Sequence, residues 1–367
     1  MTASTEASGP EELDRLCECG REIKADFSFC PACGFAVQSS GEPERQPGSI
    51  CRTLCRCAER TFERLAESHL AGKALGEESF TDFNLQDIRK VHGDRVVTHQ
   101  FTRDEEARNG ADWEWWFHDG GHGFGMRVQA KKAHKDGRYV LRHHIGASGS
   151  SVLQSDRLVK DAAASGCLPF YVFYNHQNWT AARDEQAPAD CDHTVADQRQ
   201  VGCTIVSALV VQRVLVERVY RSSDHVKQQS IPWNRVLCDS VASDTGASSL
   251  EAVFDRVGAL HWDGVLDLRQ AVERPRTQAH VESAIESRDS AGRRTPAPPR
   301  RVVARGTDPE PSPVDLMASP VYRRFNVLAD RPVRALPKRV RQMINGDVVK
   351  PADDRVAGTV LVDLADR

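Results

Sequence analysis

The chain has 367 residues, 40% of them hydrophobic and 28% charged, with a formal net charge of −3. At roughly 150 residues per domain this is about two domains and a small addition, and no apolar run approaches the roughly 18 residues of a membrane span, so a transmembrane protein is excluded. The total charge gives no global argument for nucleic acid, yet it is uneven: residues 1–50 hold four Lys/Arg against nine Asp/Glu, and residues 287–341 hold thirteen against five.

The first sixteen residues, MTASTEASGPEELDRL, lack a basic start and an apolar stretch. No secretory signal is expected, and a cytoplasmic location follows. In that compartment the eleven cysteines are expected to be thiols or metal ligands rather than disulfides. Residues 39–49, SSGEPERQPGS, are polar and unpatterned and predict a linker after a module spanning 1–38.

From Ile50 a helical spacing of Leu54, Cys57, Ala58, Phe62 and Leu65 predicts a helix over Ile50–Leu65. Cys51, Cys55 and Cys57 lie on it and are read as buried helix thiols rather than a second metal site. A second helix is predicted over Asn84–His92, and a strand over Val96–Thr102. Trp113–Phe117 and Met126–Lys132 flank a glycine-rich turn and predict a hairpin. A helix over Leu153–Ala164 and a buried strand over Pro169–Tyr174 come next. Thr204–Val219 is apolar throughout, and periodicity does not separate helix from strand there.

Residues 50–240 are taken as the main domain, 241–286 as a helical extension, and 287–313 as a disordered Pro- and Arg-rich connector. Residues 314–367 form a small C-terminal segment ending in a strand over Gly358–Leu364. The basic block around the connector suits either a phosphate backbone or a solvated linker.

Cys17-Glu-Cys19-Gly20 and Cys30-Pro-Ala-Cys33-Gly34 are two paired-cysteine turns. Four thiolates offered two and two satisfy tetrahedral zinc, and four such ligands leave no open position for catalysis. The pattern resembles a short zinc ribbon covering about residues 16–37. With so small a core, zinc would supply most of its stability. Its expected role is a docking element for protein or nucleic acid.

The stretch GADWEWWFHDGGHGFGMRVQAKK, residues 110–132, carries the chemistry. If the hairpin closes between Gly121 and His122, Asp112 lies opposite Lys131, Glu114 opposite Gln129, and Trp116 opposite Arg127. Trp113 then faces Ala130, Trp115 faces Val128, and Phe117 faces Met126 on the apolar side. A one-residue slip would mix the two sets. Two carboxylates, an amide oxygen and an ammonium suit Mg²⁺ and a phosphoryl substrate. A half-solvated hairpin with an Asp112–Lys131 ion pair is the plainer account of the same pattern.

Asp112…Gln129-Ala130-Lys131 resembles the PD-(D/E)XK superfamily, the restriction-endonuclease-like fold, and its Mrr-type members with Gln-Ala-Lys. In that fold a helix carrying a Glu precedes a three-stranded meander, and a helix then leads to a fourth strand. The chain is also similar to uncharacterised bacterial proteins sharing "ES-x-TD", "GADWEWWF…RVQAKK", a helix with Gln and Asp, and "P-x-Y-x-FYN". Here these are Glu78–Asp82, Gly110–Lys132, Gln154-Ser155-Asp156 and Pro169–Asn175.

The resemblance covers about residues 50–240 and implies an α/β, restriction-endonuclease-like core with a mixed sheet flanked by helices, joined to the zinc ribbon. It implies a metal-dependent nuclease hydrolysing phosphodiester bonds, with DNA ahead of RNA as substrate and defence against foreign nucleic acid as a setting. Asp112 and Gln129 would ligate Mg²⁺ or Mn²⁺, and Lys131 would be the catalytic lysine. Glu78 is the candidate helix acid, with Glu105 and Glu106 as rivals, and Glu114 is a further candidate ligand. Two other readings stand beside it: a nuclease fold without catalysis that binds nucleic acid or protein, and an adaptor built on the ribbon. His118, His122, His143 and His144 are read as turn or surface histidines, and Tyr171, Tyr174 and Trp179 as packing rather than base-stacking groups.

Overall fold

The computed structural model describes residues 49–73, 75–100, 111–145, 152–176, 198–216, 222–238, 249–273, 333–347, 349 and 356–365, with two short strands at Arg15–Leu16 and Glu22–Ile23. Several expectations lie outside these residues: those for Cys17, Cys19, Cys30, Cys33, Glu105, Glu106, Trp179, the 287–313 connector and the side chain of Asp112. The chain divides into Met1–Gly48 and Ser49–Arg367. In the first unit Arg15 pairs with Ile23 and Leu16 with Glu22, antiparallel.

In the second unit α1 spans Ile50–Leu70, capped by Ser49, whose side chain accepts from the Arg52 amide. Its buried face repeats at three- and four-residue spacing through Leu54, Ala58 and Leu65. Cys51, Cys55 and Cys57 are buried thiols, and Cys238 packs on the first two. α2 spans Glu77–His92 and starts about two turns earlier than the sequence predicts. Its first-turn acids, Glu77 and Glu78, complement the positive end of the helix.

Strand β1 (Val96–Gln100) follows, then β2 (Ala111–His118) and β3 (His122–Lys132). Helix α3 (Gln154–Ser165) leads to β4 (Cys167–Tyr174). The ambiguous apolar stretch divides into β5 (Cys203–Ser207) and α4 (Ala208–Val216), and Ser207 Oγ accepts from Leu209 N at the change. α5 (Ser222–Gln229) and β6 (Ile231–Pro232) come next, then the long α6 (Ser249–Glu273), whose Val253, Val257, Leu260 and Leu268 join the main core. β7 (Arg334–Ala335), α7 (Lys338–Ile344) and β8 (Val356–Asp363) complete the unit.

The fold is mixed α/β. One eight-stranded mixed sheet has the order β6-β5-β4-β3-β2-β8-β1, with β7 paired to β3. β3 and β4 are parallel, as are β8 and β2; the other pairs are antiparallel. The expected meander is therefore interrupted. β1 and β2 do not pair; the C-terminal β8 lies between them, antiparallel to one and parallel to the other. The segment taken as a small appendage is an interior strand of the sheet.

Gly358 explains how β8 fits. It lies beside Trp113 in the parallel register, and any Cβ there would run into the indole ring. Thr81, Asn84 and Leu85 of α2 meet Trp113, Trp115, Val128, Ala130 and Tyr174 on one face of the sheet. On the other, Trp116 packs with Ala162 of α3 and with Leu336, Val340 and Met343 of the C-terminal segment.

The hairpin register differs from expectation by two residues. Trp113 lies opposite Val128, Glu114 opposite Arg127, Trp115 opposite Met126, and Phe117 opposite Phe124. The turn sits one residue earlier than its sequence midpoint. Asp119 Oδ1 accepts from Gly121 N at 3.0 Å and His122 N at 2.7 Å, and Gly120 takes φ +95°. An even shift keeps every side chain on its expected face and changes only its opposite number.

Candidate functional site

Glu114 is corrected first. It is fully buried: Oε1 bonds Arg127 Nε at 2.8 Å, while Oε2 meets Arg339 Nη2 at 2.5 Å and accepts from the Trp116 indole at 3.1 Å. Burial pushes its carboxyl up, but Arg339 and Arg127 outweigh that and hold it below the ordinary range. Both oxygens are committed to two guanidinium groups, so Glu114 is removed from the candidate metal ligands. Arg339 is the partner that sequence spacing missed, because it comes from α7, 225 residues away.

Lys131, near the end of β3, is 6% exposed. Its Nζ lies 3.8 Å from Glu77 Oε2. Glu77 Oε1 accepts from Lys132 N at 3.3 Å, and Lys132 Nζ donates to Leu75 O, so two bonds and an ion pair tie the start of α2 to the end of β3. The structure thus brings Glu77 to the lysine, where the sequence favours Glu78. Glu78 is exposed, and its carboxylate folds back over Gly76. First-turn position selects neither acid. The tie to β3 does.

Gln129 lies two residues before Lys131, opposite Tyr171 of β4. Gln154, the first residue of α3, donates from Nε2 to Gln129 Oε1 at 2.8 Å. The helix start is held by Gln154 N bonding His143 O, also at 2.8 Å. Gln154 Oε1 and Ser155 Oγ are buried with no hydrogen-bond partner among the described residues. Asp156 accepts from Gln212 Nε2 at 2.9 Å. Position 112 is in β2, and the observed register carried back from Trp113 sets it across from Gln129 rather than Lys131.

Tyr171 and Tyr174 are core residues, 1% and 2% exposed, and Tyr174 shares a 2.7 Å hydrogen bond with Thr81. They pack and do not present faces for base stacking. His118 is also buried rather than a surface turn residue, and burial lowers its pKa.

Among the described residues no three His, Cys, Asp or Glu side chains gather for a metal ion. The amide oxygens at Gln129 and Gln154 fall outside that set. They are hard donors of the kind that Mg²⁺ or Mn²⁺ accepts, and a buried acceptor without a partner is where such a group or a water would be held.

Residues 50–362 match a family of unknown function, DUF6615. The chain belongs to this family. The DUF6615 match runs from α1 to β8 and so takes in the interior C-terminal strand together with Gln129, Lys131 and Gln154. No curated protein and no solved structure matches the chain. No described helix is long and apolar enough to cross a membrane.

Proposed function

We propose that this chain is a metal-dependent nuclease of the PD-(D/E)XK type that hydrolyses phosphodiester bonds in DNA ahead of RNA. The observation that carries the reading is the placement of Lys131: two residues after Gln129 at the end of a central strand, and 3.8 Å from a helix acid, Glu77. The chain order α2, β1, β2, β3, α3, β4, with β4 parallel to β3, supports it, with β8 inserted between β1 and β2.

Gln129 and Asp112 are the residues that would hold Mg²⁺ or Mn²⁺, and a divalent cation supplies the charge that polarises a phosphate and acidifies an attacking water. Lys131 is the group that would orient that water or stabilise the developing phosphoryl charge. Glu77 aims the ammonium. A zinc ribbon on Cys17, Cys19, Cys30 and Cys33 is proposed as a separate docking element for substrate or a protein partner.

The test is cleavage of linear DNA, supercoiled DNA and RNA with Mg²⁺ or Mn²⁺, beside Lys131→Ala. The expected result is cleavage in the wild type and a loss of at least about 10²-fold in the variant. Cleavage that persists undiminished would remove Lys131 from the site. Absence of cleavage on every substrate would favour a nuclease fold that only binds.

A further inference from the structure

A carboxylate offers a metal an oxygen whichever way it is turned, whereas an amide has one oxygen and one nitrogen that cannot ligate a cation. Gln129 therefore serves as a ligand only if its amide is held the right way round. The geometry points to Gln154 as the positioning residue that fixes the orientation of the Gln129 amide at the candidate metal site. This inference rests on the nuclease reading and adds to it a residue on α3 that touches neither Lys131 nor Glu77 in the contacts above.

Two observations carry it. Gln154 Nε2 donates to Gln129 Oε1 at 2.8 Å, and Gln129 Nε2 donates to Ala130 O at 3.3 Å, so both ends of the Gln129 amide are assigned. Turning Gln129 alone would set two N–H groups against each other. Turning both amides together would restore one bond but press Gln129 Oε1 against the Ala130 carbonyl, acceptor against acceptor. Burial makes either mismatch costly, since the two side chains are 2% and 7% exposed.

An sp² oxygen has two lone pairs, so accepting from Gln154 does not by itself prevent Gln129 Oε1 from ligating. Lastly, Gln154 Oε1 is buried without a hydrogen-bond partner among the described residues. A buried carbonyl oxygen left in this state, on the side chain that bonds a candidate ligand, marks a place for an ordered water. Gln154 thus orients Gln129 through its nitrogen. Its backbone bond to His143 O holds it at the first position of α3.

The experiment is a double-mutant cycle on the full chain. Gln154→Leu is made in the wild-type and in the Gln129→Glu background, with thermal melts to confirm folding. Mn²⁺ binding is measured without substrate by electron paramagnetic resonance, with Asp112→Asn as the blank for other sites, and DNA cleavage is followed against Mg²⁺ concentration. In the wild-type background Gln154→Leu is expected to weaken Mn²⁺ binding about 10- to 100-fold, as losses of orienting partners do, and to raise the Mg²⁺ needed for half-maximal cleavage in step. With Glu at 129, which has an oxygen at either end, the same change is expected to act within about a factor of two. Equal losses in both backgrounds, in a wild type that binds and cleaves, would overturn the orienting role alone. A wild type that neither takes up Mn²⁺ nor cleaves DNA or RNA would overturn the nuclease reading, and this inference with it.

Discussion

Glu114 and Arg127 face each other across the β2–β3 hairpin with 2.8 Å between Oε1 and Nε, and their side chains are 0% and 1% exposed. Arg339 closes the cluster from α7 and lies with its guanidinium 5.7 Å from the centre of the Trp116 ring. A carboxylate buried between two guanidiniums ties the hairpin to the C-terminal segment. Glu114→Gln leaves the buried Arg127 and the part-buried Arg339 with one neutral acceptor, and removing a partner from a buried pair costs about 3–5 kcal/mol. Urea unfolding of the variant is expected to show a loss of that order. A loss below about 1 kcal/mol would mean that the cluster is solvated.

The same carboxyl sets a pH dependence. Its folded pKa lies below the ordinary 4.5, so its contribution is fully present above that value and is lost as pH falls through the folded pKa. His261 and His176 act in the same direction over a higher window. Burial lowers both from 6.5 to about 4, so each is held neutral in the fold and takes up a proton more readily once unfolded. Stability is therefore expected to fall between about pH 6.5 and 4 and to fall further below. Replacing His261 with Phe should flatten the upper part of a plot of unfolding free energy against pH. An unchanged slope there would remove His261 from that account.

The two faces of the hairpin were legible in the sequence because alternation has a period of two and three tryptophans mark one stretch of it. The pairing within those faces was not, since the register depends on Asp119 drawing the turn one residue toward the N-terminus, and composition locates turn residues better than turn centres. Buried helix thiols at Cys51, Cys55 and Cys57 followed from spacing. The place of β8 did not, because a strand's neighbours across more than 200 residues leave no local trace. Of the candidate site, Gln129 and Lys131 were legible as a short motif, whereas the choice of Glu77 over Glu78 rests on which first-turn acid reaches the backbone of Lys132. Gln154 was visible only as part of a motif, and its partner emerged from the packing of α3 against β3.

Gly358 is a direct test of the interior position of β8. Its neighbour Trp113 occupies the space a Cβ needs, and the ring is itself buried in the core. Overpacking of this kind costs about 1–3 kcal/mol. Gly358→Ala is expected to lower stability within that range, and Trp113→Leu is expected to be less harmful in the Gly358→Ala background than alone. Additive losses in the double variant would show that the two positions do not meet.

Glu77 and Glu78 give the sharpest contrast at the candidate site, because they are adjacent, share one helix turn and differ in what they reach. Glu77 lies 3.8 Å from Lys131 and accepts from the Lys132 amide, while Glu78 is exposed at the helix start. If the acid acts by aiming the lysine, Glu77→Ala is expected to lower DNA cleavage about 10²-fold. Glu77→Gln should retain the bond to Lys132 N but not the ion pair, and so should fall between the two. Glu78→Ala is expected to leave the rate within about a factor of two, since surface substitutions of this kind change little. Cleavage rates at saturating Mg²⁺, read beside melts that show each variant folded, decide the matter. The reverse ranking would return the helix-acid role to Glu78 and would require the start of α2 to turn its other face to β3.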